Sequence, residues 1–242
     1  MTVLCPVLDM LNHSVYSQLG WPKIENGDLV LRTIAPVAAN TQVYLYYGPL
    51  PCAHTLQYYG FIDSYMLKYE MIQLVLEPPE GFAVMDGPNI SIVDTATEEL
   101  ERCGGKSLSA ARAAVLASLP KIGTVHYLRE AAELPPQLVS AARICALGWD
   151  GVEKIGLLMG TSWMEKELER GSKLDFFTAE CELRAGLLLK VMIEALLPEF
   201  SETDIRADDG EIDTSISMLI EFQRRIVLQA LELVEVMIGK VH

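Results

Sequence analysis

Residues 6–14 read Pro-Val-Leu-Asp-Met-Leu-Asn-His-Ser, an apolar run broken in quick succession by Asp9, Asn12 and His13. Polar groups set that closely in apolar sequence must find hydrogen-bond partners wherever they are buried. One source is local: Asp9 and Asn12 can accept from nearby backbone amides, which makes the stretch a turn or helix end. Two segments downstream share an aromatic–glycine signature. Gln42-Val43-Tyr44-Leu45-Tyr46-Tyr47-Gly48 is rich in β-branched and aromatic residues, as a strand with packed rings would be. Leu56-Gln57-Tyr58-Tyr59-Gly60-Phe61 suits a helix capped at Gly60, with Phe61 packed back on it.

Around these segments the first third of the chain is β-rich. Glu25-Asn26-Gly27-Asp28 carries Asn-Gly, a strong hairpin signal because both residues tolerate positive φ. Leu29, Leu31 and Thr33 then alternate with Val30, Arg32 and Ile34. A second strand is expected over Thr41 to Tyr47, stopped by Gly48-Pro49, and a third over Tyr69 to Leu76, stopped by Pro78-Pro79. From about residue 96 the pattern turns helical. Leu134 to Leu147 opens with Pro135 and Pro136 and is expected to close at Gly148. Thr178 can cap a helix running to Leu197, ended by Pro198. The last helix is expected to start near Thr214, after the acidic stretch Asp208 to Asp213. There Ile216, Leu219, Gln223, Ile226, Ala230, Leu233 and Met237 keep helical spacing on one side, with Glu221, Arg224, Arg225, Glu232 and Glu235 mostly elsewhere. The reading is α+β: a β-rich segment over 1–76, a connector over 77–97 and an all-helical module over 98–242.

The bulk numbers exclude several classes. Half of the 242 residues are hydrophobic and 21% are charged, enough to bury a core. With 33 acids against 19 bases the formal charge is -14, the wrong sign for a phosphate-backbone binder and compatible with a basic protein partner. Cys5, Cys52, Cys103, Cys145 and Cys181 are scattered without a C-x-x-C pair, and the four histidines are scattered too. No zinc site is read from them, and reduced intracellular thiols are expected. The N-terminus lacks the basic start and unbroken apolar run of a signal peptide. The greasiest stretch, Ala185 to Leu197, is interrupted by Lys190 and Glu194 and is too short to span a bilayer. A soluble protein of cytoplasm or nucleus is expected, with an organelle left open.

In their order and spacing, the Asp-x-x-Asn-His turn, the hairpin, the strand ending in Tyr-Gly and the Tyr-Gly-Phe segment resemble the second half of the SET domain in methyltransferases of the Rubisco large-subunit methyltransferase family. Residues 6–14, 31–48 and 51–61 carry the specific part of this resemblance. Leu134-Pro135 with the helix after it, and Arg224-Arg225-x-x-Leu228, resemble that family's helical substrate-binding domain less specifically. The resemblance implies methyl transfer from S-adenosylmethionine to a lysine, or alternatively a histidine, of a non-histone protein. It implies Tyr47 as the catalytic tyrosine, Asn12 and His13 at the cofactor, and Tyr59 and Asp9 toward the substrate. A phenol with pKa of about 10 stays neutral and serves to orient the acceptor amine rather than to take its proton. Two positions depart from the family pattern: Asn40 stands where glycine is usual, and Pro51-Cys52 replaces Ser-Asn. The family's Gly-rich cofactor-gripping segment does not precede the turn in this sequence, so an incomplete cofactor pocket is expected. The alternative from another functional class is a catalytically inactive fragment serving as a protein-binding module.

Overall fold

The computed structural model describes residues 5–78, 81–86, 89–94, 107–200 and 211–241. Two compact units divide at residue 70: Met1–Glu70 and Met71–His242.

In the first unit, β1 (Lys23–Glu25) and β2 (Asp28–Val30) form the expected antiparallel hairpin, with Glu25 opposite Asp28. Asn26 and Gly27 make the turn at φ 51° and 91°, the left-handed values that the Asn-Gly pair predicts. Helix α1 (Cys52–Tyr59) ends at Gly60, whose φ of 74° and amide bond to the Leu56 carbonyl confirm the C-cap. Its first turn has no side-chain cap from Pro51. Instead the buried carboxylate of Glu70 accepts the Ala53 N–H at 3.1 Å, placing negative charge at the helix N-terminus. A 3₁₀ helix, Ser64–Tyr69, is capped by Asp63, whose side chain accepts from the Tyr65 amide.

The segment 41–47 is not a regular strand. It forms a single parallel bridge, Leu45 with His13. Its amides are satisfied piecemeal: Tyr44 N–H by the Gln18 carboxamide at 3.1 Å, Leu45 N–H by the Asn12 carbonyl at 2.9 Å, Tyr47 N–H by a His13 ring nitrogen at 3.1 Å. Two of these acceptors are side chains, from Gln18 and His13, where a regular strand would meet backbone carbonyls. Asn40 adopts φ 62°, which Asn tolerates better than most non-glycine residues, so the glycine of the family pattern is dispensable at this turn.

Among the described residues the second unit holds two sheets and most of the helices. Strand β3 (Ile72–Val75) pairs antiparallel with β6 (Val125–Leu128), and β4 (Gly81–Asp86) pairs with β5 (Asn89–Asp94). The β4–β5 hairpin lies inside the stretch read as a connector, and β6 interrupts the stretch read as wholly helical. Val-His-Tyr-Leu alternates outward and inward across this sheet, so His126 and Leu128 are buried while Val125 and Tyr127 are exposed.

The helices are α2 (Leu108–Ala117), α3 (Pro136–Cys145), α4 (Trp149–Leu158), α5 (Ser162–Glu169), α6 (Ala179–Glu194) and α7 (Glu211–Gly239). Ser107 caps α2 and Thr178 caps α6, each through its hydroxyl. A 3₁₀ turn, Leu197–Phe200, follows α6 at Pro198. Gly148 does not cap α3: that helix ends at Ala146, and Gly148 is the N-cap of α4. Ala146 is the C-cap of α3 at φ −96°, in the right-handed region, so no left-handed glycine is required there. Residues 208–210 of the acidic stretch lie outside the described residues, and its last three, Glu211 to Asp213, belong to α7, which starts before the expected Thr214. On α7, Leu219, Ile226, Val227, Ala230 and Val234 are buried, so the predicted face is right but wider by Val227 and Val234. Full burial of each such aliphatic side chain stabilises by about 1.5–3 kcal/mol. Gly186 on α6 lets α7 approach closely, since a Cβ there would stand 2.6 Å from Ile238 Cγ1. Among the described residues no helix is long and apolar enough to cross a membrane.

Candidate active site

The turn at residues 5–14 is closed locally by Asp9. Its amide donates to the Cys5 carbonyl and its carboxylate accepts the Cys5 N–H at 3.1 Å. Asp9 is exposed and serves its own turn, as the local reading of the sequence has it. Three residues on, the chain runs beside residue 45. The Asn12 carbonyl and the Ser14 amide are both taken by Leu45. In a parallel bridge this directs the His13 N–H and C=O toward the opposite edge. The Asn12 side chain faces solvent.

His13 turns its imidazole inward; the side chain is 3% exposed. Its ring stacks on Phe61 with centroids 5.3 Å apart, meets Tyr47 edge-on at 5.1 Å and lies 5.6 Å from Tyr46. Nδ1 accepts the Tyr47 N–H. Nε2 is buried without a hydrogen-bond partner, 3.8 Å from Asp63 Oδ2. Burial lowers the pKa of His13 and the Asp63 carboxylate opposes that shift.

Tyr47 stands between His13 and Tyr59, the latter at 5.0 Å and 52°. Its hydroxyl donates to the Leu11 carbonyl at 2.5 Å, which fixes the phenol beside the Asn12-His13 turn. Burial, and then the neighbouring Tyr59, raise its pKa, so the ring stays a neutral phenol. Tyr59 is 51% exposed and offers one open aromatic wall. Tyr46 is pushed up to about 12 by burial and by its hydrogen bond to Tyr69. Gly48, at φ 103°, follows Tyr47, and a Cβ there would stand 3.6 Å from the Trp21 ring edge.

The structure therefore gathers His13, Tyr47 and Tyr59 into one aromatic cluster, with Asn12 adjacent in sequence and Asp9 engaged in its own turn. Sequence reading named Phe61, Tyr46 and Tyr69 as elements of secondary structure but not as site residues, and did not single out Asp63. Phe61 was visible as a cap-packing residue, whereas Asp63 carried no local signal. Cys52, at one of the departures from the family pattern, is fully buried, and its thiol donates to the Asp63 carbonyl at 3.4 Å. Burial and the nearby Glu70 and Asp63 push that thiol up to about 12, so it is inert. Among the described residues no three His, Cys, Asp or Glu side chains gather as metal ligands. The helical unit separately carries a cavity of about 620 Å³ whose charged lining is Arg143, Arg170, Lys173, Lys240, Glu133 and Glu182.

No protein-family model matches the sequence, and no curated protein matches it. Solved structures do. Rubisco LSMT bound to AdoMet superposes with a TM-score of 0.65 at 17% identity, covering 98% of this chain and 51% of that one. The same enzyme bound to sinefungin and monomethyllysine gives 0.63 at 18%, with 98% and 51% covered. A SET domain of LSMT bound to lysine and AdoHcy gives 0.59 at 16%, with 98% and 50% covered. The chain shares the fold of about half of each of these LSMT structures. At these identities the likeness is one of fold, and the chain spans about half the length of the structures it matches.

Proposed function

We propose that the chain carries part of the machinery of an S-adenosylmethionine-dependent protein N-methyltransferase. The acceptor is a lysine, or alternatively a histidine, of a non-histone protein. The observation that carries this reading is the Tyr47 phenol, held neutral by burial and pinned to Leu11 beside the Asn12-His13 turn, with Tyr59 forming an open wall.

The residues present suit the cofactor. The solvent-facing Asn12 carboxamide can donate to a carboxylate and accept from an ammonium, matching the amino-acid end of S-adenosylmethionine. His13 would act through its backbone, because its imidazole is committed to Tyr47; the N–H and C=O directed to the opposite edge pair a donor with an acceptor, as an adenine edge requires. When bound, S-adenosylmethionine supplies an electrophilic methyl group on a sulfonium. The protein's share is positioning and exclusion of water. Tyr47 orients the acceptor amine by its hydroxyl, and Tyr59 holds an incoming cation against its face before that amine loses its proton. Asp9 is exposed and, besides closing its own turn, would offer its carboxylate to a basic substrate. The helical unit would present the surface that the substrate protein reads.

The test is transfer of a tritiated methyl group to a non-histone protein extract, followed by hydrolysis and separation of methyllysine from methylhistidine. Label found with wild type and lost in Tyr47→Phe supports the reading. Label that survives Tyr47→Phe undiminished overturns the role of Tyr47. A second reading, a non-catalytic protein-binding module, draws on the exposed apolar side chains of the first unit, Val7, Met10, Ile24 and Ile34, each at least 70% exposed. Absence of label from a folded chain favours it.

A further inference from the structure

The Tyr47 amide lies beyond the single bridge between Leu45 and His13, and its acceptor is a side-chain atom, His13 Nδ1 at 3.1 Å. An imidazole nitrogen accepts only when it carries no proton. A neutral His13 making this bond therefore carries its proton on Nε2. Nε2 is one of the few buried polar atoms without a hydrogen bond, and the group it faces is the Asp63 carboxylate, Oδ2 at 3.8 Å. Asp63 is itself anchored twice: Oδ1 accepts the Tyr65 N–H at 2.9 Å and its carbonyl accepts the Cys52 thiol. It stands two residues after Phe61, which stacks on the His13 ring.

We propose that Asp63 is a positioning residue for Tyr47, acting through His13. The carboxylate fixes the Nε2–H tautomer, the tautomer makes Nδ1 an acceptor, and the acceptor holds the Tyr47 backbone so that its hydroxyl reaches Leu11. Tyr46, Tyr47 and Asp63 are the titratable groups facing the ring, and Asp63 is the charged one. Protonation of His13 would turn Nδ1 into a donor pointing at a donor. The ring would then give up Tyr47 and keep Asp63, so the same pair releases the tyrosine at low pH. The consequence for methyl transfer rests on the proposed function; the tautomer and the Tyr47 amide do not.

The deciding experiment is nitrogen-15 NMR of the imidazoles in the full chain, with His13 assigned by His13→Gln, alongside the Tyr47 amide signal. Asp63→Asn keeps the cap on residues 64–69 with its one carbonyl oxygen but turns its NH2, a donor, toward Nε2, while Asp63→Ala removes both the cap and the acceptor. The expected result is the Nε2–H tautomer for His13 in wild type, lost in both Asp63→Asn and Asp63→Ala together with protection of the Tyr47 amide. The pH at which His13 protonates should fall in Asp63→Asn, since a stabilising negative charge is gone. In a transfer assay kcat should drop about tenfold in Asp63→Ala, with KM for S-adenosylmethionine nearly unchanged. An Nδ1–H tautomer in wild type, or a Tyr47 amide indifferent to Asp63→Ala, overturns the proposal. If NMR gives the expected pattern and wild type transfers no methyl group, the positioning chain stands and the enzymatic reading falls.

Discussion

Removing Glu182 should cost the helical unit more than any surface charge could. Arg143 on α3 and Glu182 on α6 have side chains 10% and 6% exposed. Arg143 Nε lies 2.9 Å from Oε1 and donates to Oε2 at 3.1 Å. Nη1 donates to the Gly171 and Ser172 carbonyls at 2.6 and 3.2 Å, and the guanidinium sits 5.5 Å from the Phe177 ring centre. An exposed pair of this kind contributes about 0–1 kcal/mol. Here Glu182→Ala leaves a buried cation with only carbonyls and a ring for company, a loss of about 3–5 kcal/mol. Glu182→Gln keeps an acceptor oxygen but not the charge and should cost about 1–3 kcal/mol. The double change Arg143→Met with Glu182→Leu removes both charges and should cost less than Glu182→Ala alone, despite stranding two carbonyls. Urea unfolding of the full chain, followed by far-ultraviolet circular dichroism, measures all three. A Glu182→Ala loss below about 1 kcal/mol would refute the reasoning, because the pair would then behave as solvated.

Three further outcomes follow from the same coordinates. Gly186→Ala should destabilise by about 1–3 kcal/mol through the clash with Ile238, and Ile238→Ala should recover part of that loss in the double variant, both read by urea unfolding. His126 is buried on β6 with Nε2 lacking a hydrogen-bond partner, and burial holds its pKa below the ordinary 6.5. The unfolded chain then binds the extra proton first, so this stability is present above 6.5 and is lost as pH falls through the folded pKa; His126→Leu should flatten that part of the stability–pH curve. Of the described cysteines, Cys5 is partly exposed and Cys52, Cys145 and Cys181 are buried, with burial chiefly pushing all three thiols up to about 12. A thiol reagent at pH 8 should label Cys5 in the native chain and reach the other three only after unfolding, as peptide mass mapping would show.

What could be read from sequence was whatever a few adjacent residues decide. Asn26-Gly27 fixes a turn by its tolerance of positive φ, Gly60 ends a helix for the same reason, and the hydroxyl of Thr178 starts one. The α7 face followed from a period that many residues share. Val125–Leu128 escaped notice because four residues carry too little pattern to announce a strand whose partner lies some fifty positions earlier. Thr41–Tyr47 has strand composition, yet its amides are met by Gln18, Asn12 and His13, contacts that composition does not encode. The aromatic members of the site, Tyr47 and Tyr59, stood out through a family pattern. Asp63 did not, since its part in the cluster exists only once Phe61 has folded onto His13.

The central claim is that the Asn12-His13 turn and the Tyr47 cluster form a working cofactor and acceptor site. Calorimetric titration of residues 1–242 with S-adenosylmethionine, beside Asn12→Ala, tests it most directly. The account predicts saturable binding to the wild-type chain that is lost or at least about tenfold weaker in Asn12→Ala, where the carboxamide is gone. A chain folded by circular dichroism that takes up no S-adenosylmethionine, or binds it equally well without the Asn12 side chain, would contradict it.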